Sequence, residues 1–583
     1  SDGLRCNPGS EEFDALWRDL EDYFAQRPKE REAPTIMYVI KPKDEKSLEG
    51  WKDEVLKLYE ENTEYWREGE THDEHLTSSI WKSFEGTWKE AKALELTSSD
   101  YDGSSWKVEN GTHRKMYIPY VRTFLDLFED MEWREDEDGR KSQPYLQLFV
   151  LKSHLIDIIN KFHSNHVEAA RLLISLTKSS KLIVQTIVEQ LLSTHRPLKD
   201  VYYCILTMEL CKLLPDFPQM LAISIDYLFD KLEDMDTECV SRFIVWFSHH
   251  LSNFDFKWPW NSWDYMVQPN IDEDAIQTQF VRRVLDRCIR LSYYDRVKKS
   301  LPENFHPLLP PPPNPIFKFD SDESVGHAEY KELVEKIRNK EGWDDISDYT
   351  KGEDFQKIEP EGGLEVLCHA ILKVGSKSYA HLMGVMDRCV PILQGKIQGY
   401  AQQIVLLDAI HDVWMNSPIQ MNIIIDKLMV QDIVQPLSIA NYVFAKTEWF
   451  DQPFLWDVLS LGINKSINKI HSIKSSCQDR ESNRNWEGEE TLERAERDQK
   501  EMFIIIFHRF NIIISNYVNQ LASGEVPEVQ SNVRIKSTLG HFIEIARRYY
   551  DQFHGFLSTL HTFLLSEHAD QRIRTVFIQL QQI

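Results

Sequence analysis

Apolar side chains recur at helical spacing along most of this chain. Near the amino terminus they fall three and four positions apart, which places them on one face of a helix, at Phe13, Leu16, Trp17, Leu20, Tyr23 and Phe24. The same spacing continues from about residue 144 to 300 and again from 363 to 583. The pattern predicts an all-α protein.

Short polar or proline-containing breaks divide the first long helical block. We place them at residues 163–165, 177–180, 196–197, 215–218 and 234–236. Helices joined by such short turns pack as antiparallel pairs, and several pairs in series form an α-solenoid. Because no fixed repeat length is visible, we predict an irregular α-solenoid of HEAT-type helical hairpins in two main domains.

Prolines and charged residues separate these two domains. Four consecutive prolines at 310–313 cannot continue a helix. The residues that follow are charged, with one helix predicted at 328–340. We therefore predict one domain at 140–305, a linker at 306–361 that packs poorly, and a second domain at 362–583.

Two further segments complete the domain organisation. Polar residues 475–491 interrupt two long apolar-periodic stretches, which predicts a helical hairpin projecting from the last domain near 457–521. Residues 97–115 are polar and rich in glycine and serine, and residues 129–138 are strongly acidic. We interpret 51–139 as a linker with connecting helices.

Composition and charge narrow the functional classes. The 583 residues carry a formal net charge of −26, from 93 acidic against 67 basic side chains. Nucleic-acid binding usually depends on Lys and Arg contacts to phosphate, so extensive direct contact with RNA or DNA is disfavoured and basic partners are favoured. The 22 glycines are few, which disfavours Gly-rich nucleotide-binding folds. The eight cysteines form no C-x-x-C pair, and no apolar run reaches membrane-spanning length, so we expect buried thiols in an intracellular protein without membrane contact.

Motifs that would indicate catalysis are absent from the sequence. Residues 374–378 (VGSKS) resemble a phosphate loop, but Ala370 stands where that loop requires glycine. His249 and His250 point about 100° apart on a helix, so they suit packing better than a shared metal. We therefore predict no catalytic residue, no cofactor and no metal, and an enzyme on a helical scaffold is the residual alternative.

The densest aromatic segment, residues 254–263 (FDFKWPWNSW), allows two interpretations. Its alternating apolar positions and Pro259 predict an extended strap that seals the end of the first helical domain, which is the favoured interpretation. Alternatively it is a ledge on which a partner docks, because Trp and Tyr are common at interface hot spots. The candidate partner-interface residues are Trp258, Trp260, Trp263, Tyr293 and Tyr294.

Residues 243–263 (FIVWFSHHLSNFDFKWPWNSW) and 280–296 (FVRRVLDRCIRLSYYDR) resemble the family of the large subunit of the nuclear mRNA cap-binding complex. Residues 202–218, 414–444 and 497–514 are similar to that family in kind and order. The resemblance implies three HEAT-type domains related to the middle domain of a translation initiation scaffold. It makes residues 1–50 the remnant of the first domain, and we expect most of that domain and a basic import signal to be missing here.

The resemblance also implies a function. In this family the 7-methylguanosine cap of mRNA is bound by a small subunit with an RNA-recognition motif, and the large subunit holds and orders that partner in a heterodimer. It further implies RNA processing and export factors as partners, with roles in splicing and nonsense-mediated decay, and a nuclear location with shuttling to the cytoplasm. Two other scaffolds stay open: a nuclear transport receptor and a translation-type middle-domain scaffold.

Overall fold

The computed structural model describes residues 144–193, 198–268, 271–273, 275–352, 355, 358, 360–450, 452–478, 486–564 and 570–582. The segments predicted at 1–50 and 51–139 lie outside the described residues. Within the described ranges the chain is helical and contains no strand, which confirms the predicted all-α class. The chain divides into two compact units after His250. This division does not follow the boundary predicted at residues 305–306, so the domain assignment stays a prediction.

The first unit is a series of helices packed in two layers. Helix α3 contacts α1 and α5, whereas α2 contacts α4, so helices two positions apart along the chain pack on each other as in a solenoid. The Ser180 hydroxyl donates to the Asp216 carboxylate at 2.9 Å and joins the amino-terminal ends of α3 and α5. The helices are α1 (Pro144–Lys161), α2 (His166–Leu176), α3 (Ser180–Leu192), α4 (Asp200–Leu213), α5 (Phe217–Asp230) and α6 (Thr237–Asn253).

Every predicted break in this block separates two observed helices. The side chain of Asn165 accepts a hydrogen bond from the Glu168 amide at 3.2 Å and caps α2. Pro218 occupies the first turn of α5, where its missing N–H costs nothing. Local polar and proline residues therefore set these boundaries.

Aromatic side chains of α6 fill the core of the first unit. Phe243, Trp246 and Phe247 are fully buried or nearly so, and the His250 ring stacks on Trp246 with centroids 5.4 Å apart. Burial lowers the pKa of His250 to about 4, so its ring is neutral at neutral pH. The packing interpretation of the His249–His250 pair fits this geometry.

The second unit continues the layered packing. Helix α13 contacts α11 and α15, α15 contacts α17, and α14 contacts α16. Its helices are α7 (Ile276–Leu291), α8 (Tyr294–Ser300), α9 (His327–Arg338), α10 (Trp343–Tyr349), α11 (Pro360–Gly375), α12 (Tyr379–Lys396), α13 (Tyr400–Trp414), α14 (Pro418–Val430), α15 (Pro436–Ala445), α16 (Pro453–Gln478), α17 (Trp486–Ser523), α18 (Glu528–Arg548), α19 (Tyr550–Phe553), α20 (Leu557–Leu564) and α21 (Gln571–Gln582). Among the described residues of this unit, 3₁₀ helices lie at Trp260–Met266, Glu303–Leu308, Lys318–Asp320, Thr447–Trp449 and His554–Phe556.

Part of the stretch predicted as a poorly packed linker, 306–361, packs within the second unit. The predicted helix at 328–340 is α9, and its buried side chains lie one helical turn apart at Tyr330, Leu333, Val334 and Ile337. That face packs on α11. Loose packing therefore does not describe α9, because its charged residues lie on the outer face of an amphipathic helix. The linker assignment of 306–361 as a whole stays a prediction.

The predicted hairpin near 457–521 consists of α16 and α17, which contact each other. Both helices run further into the polar stretch 475–491 than expected, to Gln478 and from Trp486. Near the tip, the Lys474 ammonium lies 2.8 Å from the Glu496 carboxylate. Deeper in the unit, Phe503, Phe507 and Phe510 of α17 are buried in an aromatic cluster with Phe542 and Phe577.

The thiols whose surroundings the structure describes are mostly buried, at Cys204, Cys239, Cys288, Cys368 and Cys389, with Cys211 half-buried. Burial raises the pKa of the Cys288 thiol to about 12, which suppresses the reactive thiolate. Cys6 and the side chain of Cys477 lie outside the described part. Among the described helices, none combines the length and apolar character needed to span a bilayer.

Candidate partner-binding surface

The aromatic segment 254–266 begins with a sharp turn at the end of α6. Asp255 and Phe256 adopt positive φ angles of 55° and 59°, which side-chain-bearing residues rarely do. The Phe256 amide donates to the Leu251 carbonyl at 2.7 Å and closes this turn. Pro259 then precedes the 3₁₀ helix that starts at Trp260. The extended strap predicted for this segment was therefore wrong in conformation, because two left-handed residues bend the chain.

Trp260 and Trp263 belong to the core. They are only 3% and 2% exposed, and their rings meet edge to face with centroids 5.8 Å apart. Trp260 also packs on Phe305 of the 3₁₀ helix Glu303–Leu308, at 5.5 Å. Trp258 is half-buried, and the centroid of its ring lies 5.6 Å from that of Trp263. This burial favours the structural interpretation for Trp260 and Trp263, since a buried ring offers a partner nothing to contact.

Arg296 on α8 contacts the turn that precedes the tryptophan rings. Its guanidinium lies 2.8 Å from the Asp255 carboxylate and 5.5 Å from the centroid of the Phe256 ring. One side chain thus contacts both left-handed residues, by charge and by cation–π attraction. The Asn304 amide makes a second tie to the segment by donating to Asp264 at 2.8 Å.

Exposed aromatic rings lie in the aromatic segment and at the start of α8. Tyr293, directly before α8, is 61% exposed, and Tyr294 is half-buried. Tyr265 is 59% and Phe254 is 40% exposed, and neither was among the contact residues predicted from sequence. Tyr265 follows Trp263 by two residues in the sequence. This spacing indicates an exposed tyrosine ring only if the segment is already known to form a 3₁₀ helix. Among the candidates, Tyr293 has the accessibility that a partner contact requires.

The phosphate-loop resemblance at 374–378 has a packing explanation. Gly375 is the last residue of α11, and a Cβ there would lie 2.7 Å from Leu382 Cδ1 on α12. Glycine at this position lets the two helices approach closely. The following Ser378 caps α12 by accepting from the His381 amide at 3.2 Å.

Comparison with known proteins defines the class first. Two family profiles, each described as MIF4G like, match residues 175–303 and 317–554. The gap between the matches contains the four consecutive prolines. These two regions are therefore similar to helical proteins of the MIF4G-like class, in agreement with their layered packing.

Individual relatives narrow the class to a family. The chain is 35% identical over 350 residues to nuclear cap-binding protein subunit 1 of Oryza sativa subsp. japonica, covering 57% of this chain and 39% of the relative. It is 28% identical to the same subunit of Aedes aegypti, covering 74% and 61%, and 27% identical to that of Xenopus tropicalis, covering 74% and 60%. The chain is thus similar to nuclear cap-binding protein subunit 1 from three organisms, the family that its residues resemble. It spans between about two fifths and three fifths of the length of these relatives.

Proposed function

We propose that this chain is a non-catalytic scaffold of the nuclear cap-binding complex. It holds a small subunit with an RNA-recognition motif and orders the loops with which that subunit binds the 7-methylguanosine cap. The observation that carries the proposal is the similarity to nuclear cap-binding protein subunit 1 over 74% of the chain. The proposal includes a heterodimer, a nuclear location with shuttling, and the docking of RNA processing and export factors.

The charge of the chain supports a scaffold that leaves the cap to its partner. A net charge of −26 repels phosphate, whereas single-stranded RNA is usually bound in basic grooves lined by stacking aromatics. A rigid helical array can instead order a partner's loops before the cap binds. The partner then loses less conformational entropy on binding, so its affinity for the cap rises without any new cap contact. The exposed ring of Tyr293 and the half-buried rings of Trp258 and Tyr294 are the proposed contacts to that partner.

Three titrations of a fluorescent 7-methylguanosine cap analogue test this function. We expect no saturable binding to the chain alone, binding to the small subunit alone, and tighter binding to the two together. The gain should be roughly 5- to 150-fold, the usual range for coupled sites. Saturable cap binding by the isolated chain, or equal affinity with and without it, would contradict the proposed role.

A translation-type middle-domain scaffold is the second candidate, because two MIF4G-like matches suit it equally well. It would bind an RNA helicase directly. A nuclear transport receptor would instead bind a GTPase. Stoichiometric co-purification from cell extract separates the three, and a helicase or a GTPase as sole partner would replace the cap-binding proposal.

A further inference from the structure

Three side chains with metal-binding chemistry meet where α11 packs against α13. Glu365 and His369 lie one turn apart on α11, and Asp412 comes from α13. One ligand atom from each lies within 4.8 Å of the other two. The His369 Nε2 to Glu365 Oε1 distance is 3.8 Å. Ligands of tetrahedral zinc at about 2.05 Å are roughly 3.4 Å apart, so a small side-chain adjustment would close the site.

His369 is the least explained group of the three. Its side chain is fully buried, and no described residue gives either ring nitrogen a hydrogen bond. A buried imidazole without hydrogen bonds is costly, and coordination of a metal through one nitrogen would remove much of that cost.

The two carboxylates supply charge and a route to solvent. The side chains of Glu365 and Asp412 are partly exposed, whereas His369 closes the inner side. His411 Nδ1 lies 3.6 Å from the Asp412 carboxylate. The formal charge of two carboxylates matches that of one divalent cation.

The Lys318 ammonium group lies at the outer edge of this cluster. The Lys318 ammonium donates to the Glu365 carboxylate and also lies 5.0 Å from the centroid of the Phe319 ring. The Phe319 ring in turn meets His369 edge to face at 5.0 Å. A single ammonium neutralises one of the two carboxylates and offers nothing to the imidazole. The Lys318 contact therefore satisfies Glu365, while the His369 ring nitrogens receive no hydrogen bond from the described residues.

We propose that Glu365, His369 and Asp412 bind one Zn²⁺ ion, which replaces the Lys318 ammonium at Glu365. Three protein ligands leave the fourth position to water. The ion joins α11 to α13 and fixes the layer to which α9 also belongs. This site is separate from the aromatic segment, and the inference does not depend on the proposed cap-binding role.

The competing explanation is a packing histidine beside a surface ion pair, and substitutions separate the two. Zn²⁺ affinity of the whole chain is measured by competition with a chromophoric chelator. We expect one ion per chain, binding at least about tenfold weaker in His369→Gln and in Asp412→Asn. Asp412→Asn guards against misfolding, because its side chain is partly exposed. Lys318→Gln should bind Zn²⁺ several-fold more tightly, because it removes the competing charge.

Lys373→Gln is the matched control for Lys318→Gln. Lys373 lies one turn after His369 and pairs with Asp320 at 2.6 Å, so the variant removes the same charge near the site without freeing a ligand. Tighter binding in Lys318→Gln but not in Lys373→Gln would support the site. Absence of stoichiometric Zn²⁺ binding, or binding unchanged in both His369→Gln and Asp412→Asn, would overturn it.

Discussion

The guanidinium of Arg296 lies 2.8 Å from the carboxylate of Asp255, a residue with a left-handed backbone. Both side chains are about half exposed, and an exposed ion pair alone is worth little. The contact matters because the same guanidinium also covers the ring of Phe256, the second left-handed residue. Local backbone strain at these two residues is thus offset by a side chain from α8.

Arg296→Ala should lower the free energy of unfolding by about 1–2 kcal/mol, the sum of a surface ion pair and a cation–π contact. Arg296→Lys keeps the charge but loses the planar group, so we expect an intermediate loss. Chemical denaturation monitored by tryptophan fluorescence measures both. An Arg296→Ala variant as stable as wild type would show that the turn holds its conformation without α8.

Trp263→Ala should destabilise the protein by roughly 3–5 kcal/mol, because the ring is buried against two other tryptophans. Tyr265→Ala, two residues away on an exposed ring, should stay within about 0.5 kcal/mol of wild type. Thermal melts of the two variants make a matched comparison. Equal melting temperatures would return Trp263 to the list of partner contacts.

Tyr293→Ala should weaken capture of the small RNA-recognition subunit at least about tenfold while leaving the fold stable, as expected for a hot-spot ring. Tyr379→Ala is the control, since that ring is similarly exposed, at 56%, but lies at the start of α12. Surface plasmon resonance with the immobilised subunit gives both affinities. Equal losses in the two variants, or none, would remove Tyr293 from the proposed interface.

His250 should make stability fall as the pH is lowered. Its pKa is about 4 in the folded protein against 6.5 in the unfolded chain, so only the unfolded chain gains this proton between pH 6.5 and 4. Unfolding is therefore favoured by up to about 3 kcal/mol across that window. In His250→Gln the fall in unfolding free energy between pH 6.5 and 4 should be smaller by a similar amount. Identical pH profiles for variant and wild type would mean that this ring is not held neutral.

Amide hydrogen exchange should be slow in α9 and fast in residues 321–325. The buried face of α9 packs on α11, whereas the preceding residues are mostly exposed. Peptide-resolved mass spectrometry distinguishes them. Fast exchange throughout 321–349 would instead support the loosely packed linker predicted from sequence.

The sequence allowed the helix boundaries to be predicted where local chemistry sets them, as at Asn165 and Pro218. It failed at 254–260, because the left-handed φ angles of Asp255 and Phe256 have no residue signature such as glycine. It also gave no indication of the cluster proposed to bind Zn²⁺. The spacing of Glu365 and His369 is visible on a helix, but Asp412 reaches them only through the packing of α11 on α13.

Within each unit, helices contact mainly the next helix and the second-next helix along the chain, and this layered packing limits how far a perturbation travels. In such a quasi-one-dimensional array, stability is close to a sum of nearest-neighbour terms. Damage at one layer is therefore felt by the adjacent layers and fades beyond them. Substitutions that adapt one layer to a new ligand can therefore accumulate while distant layers keep their geometry.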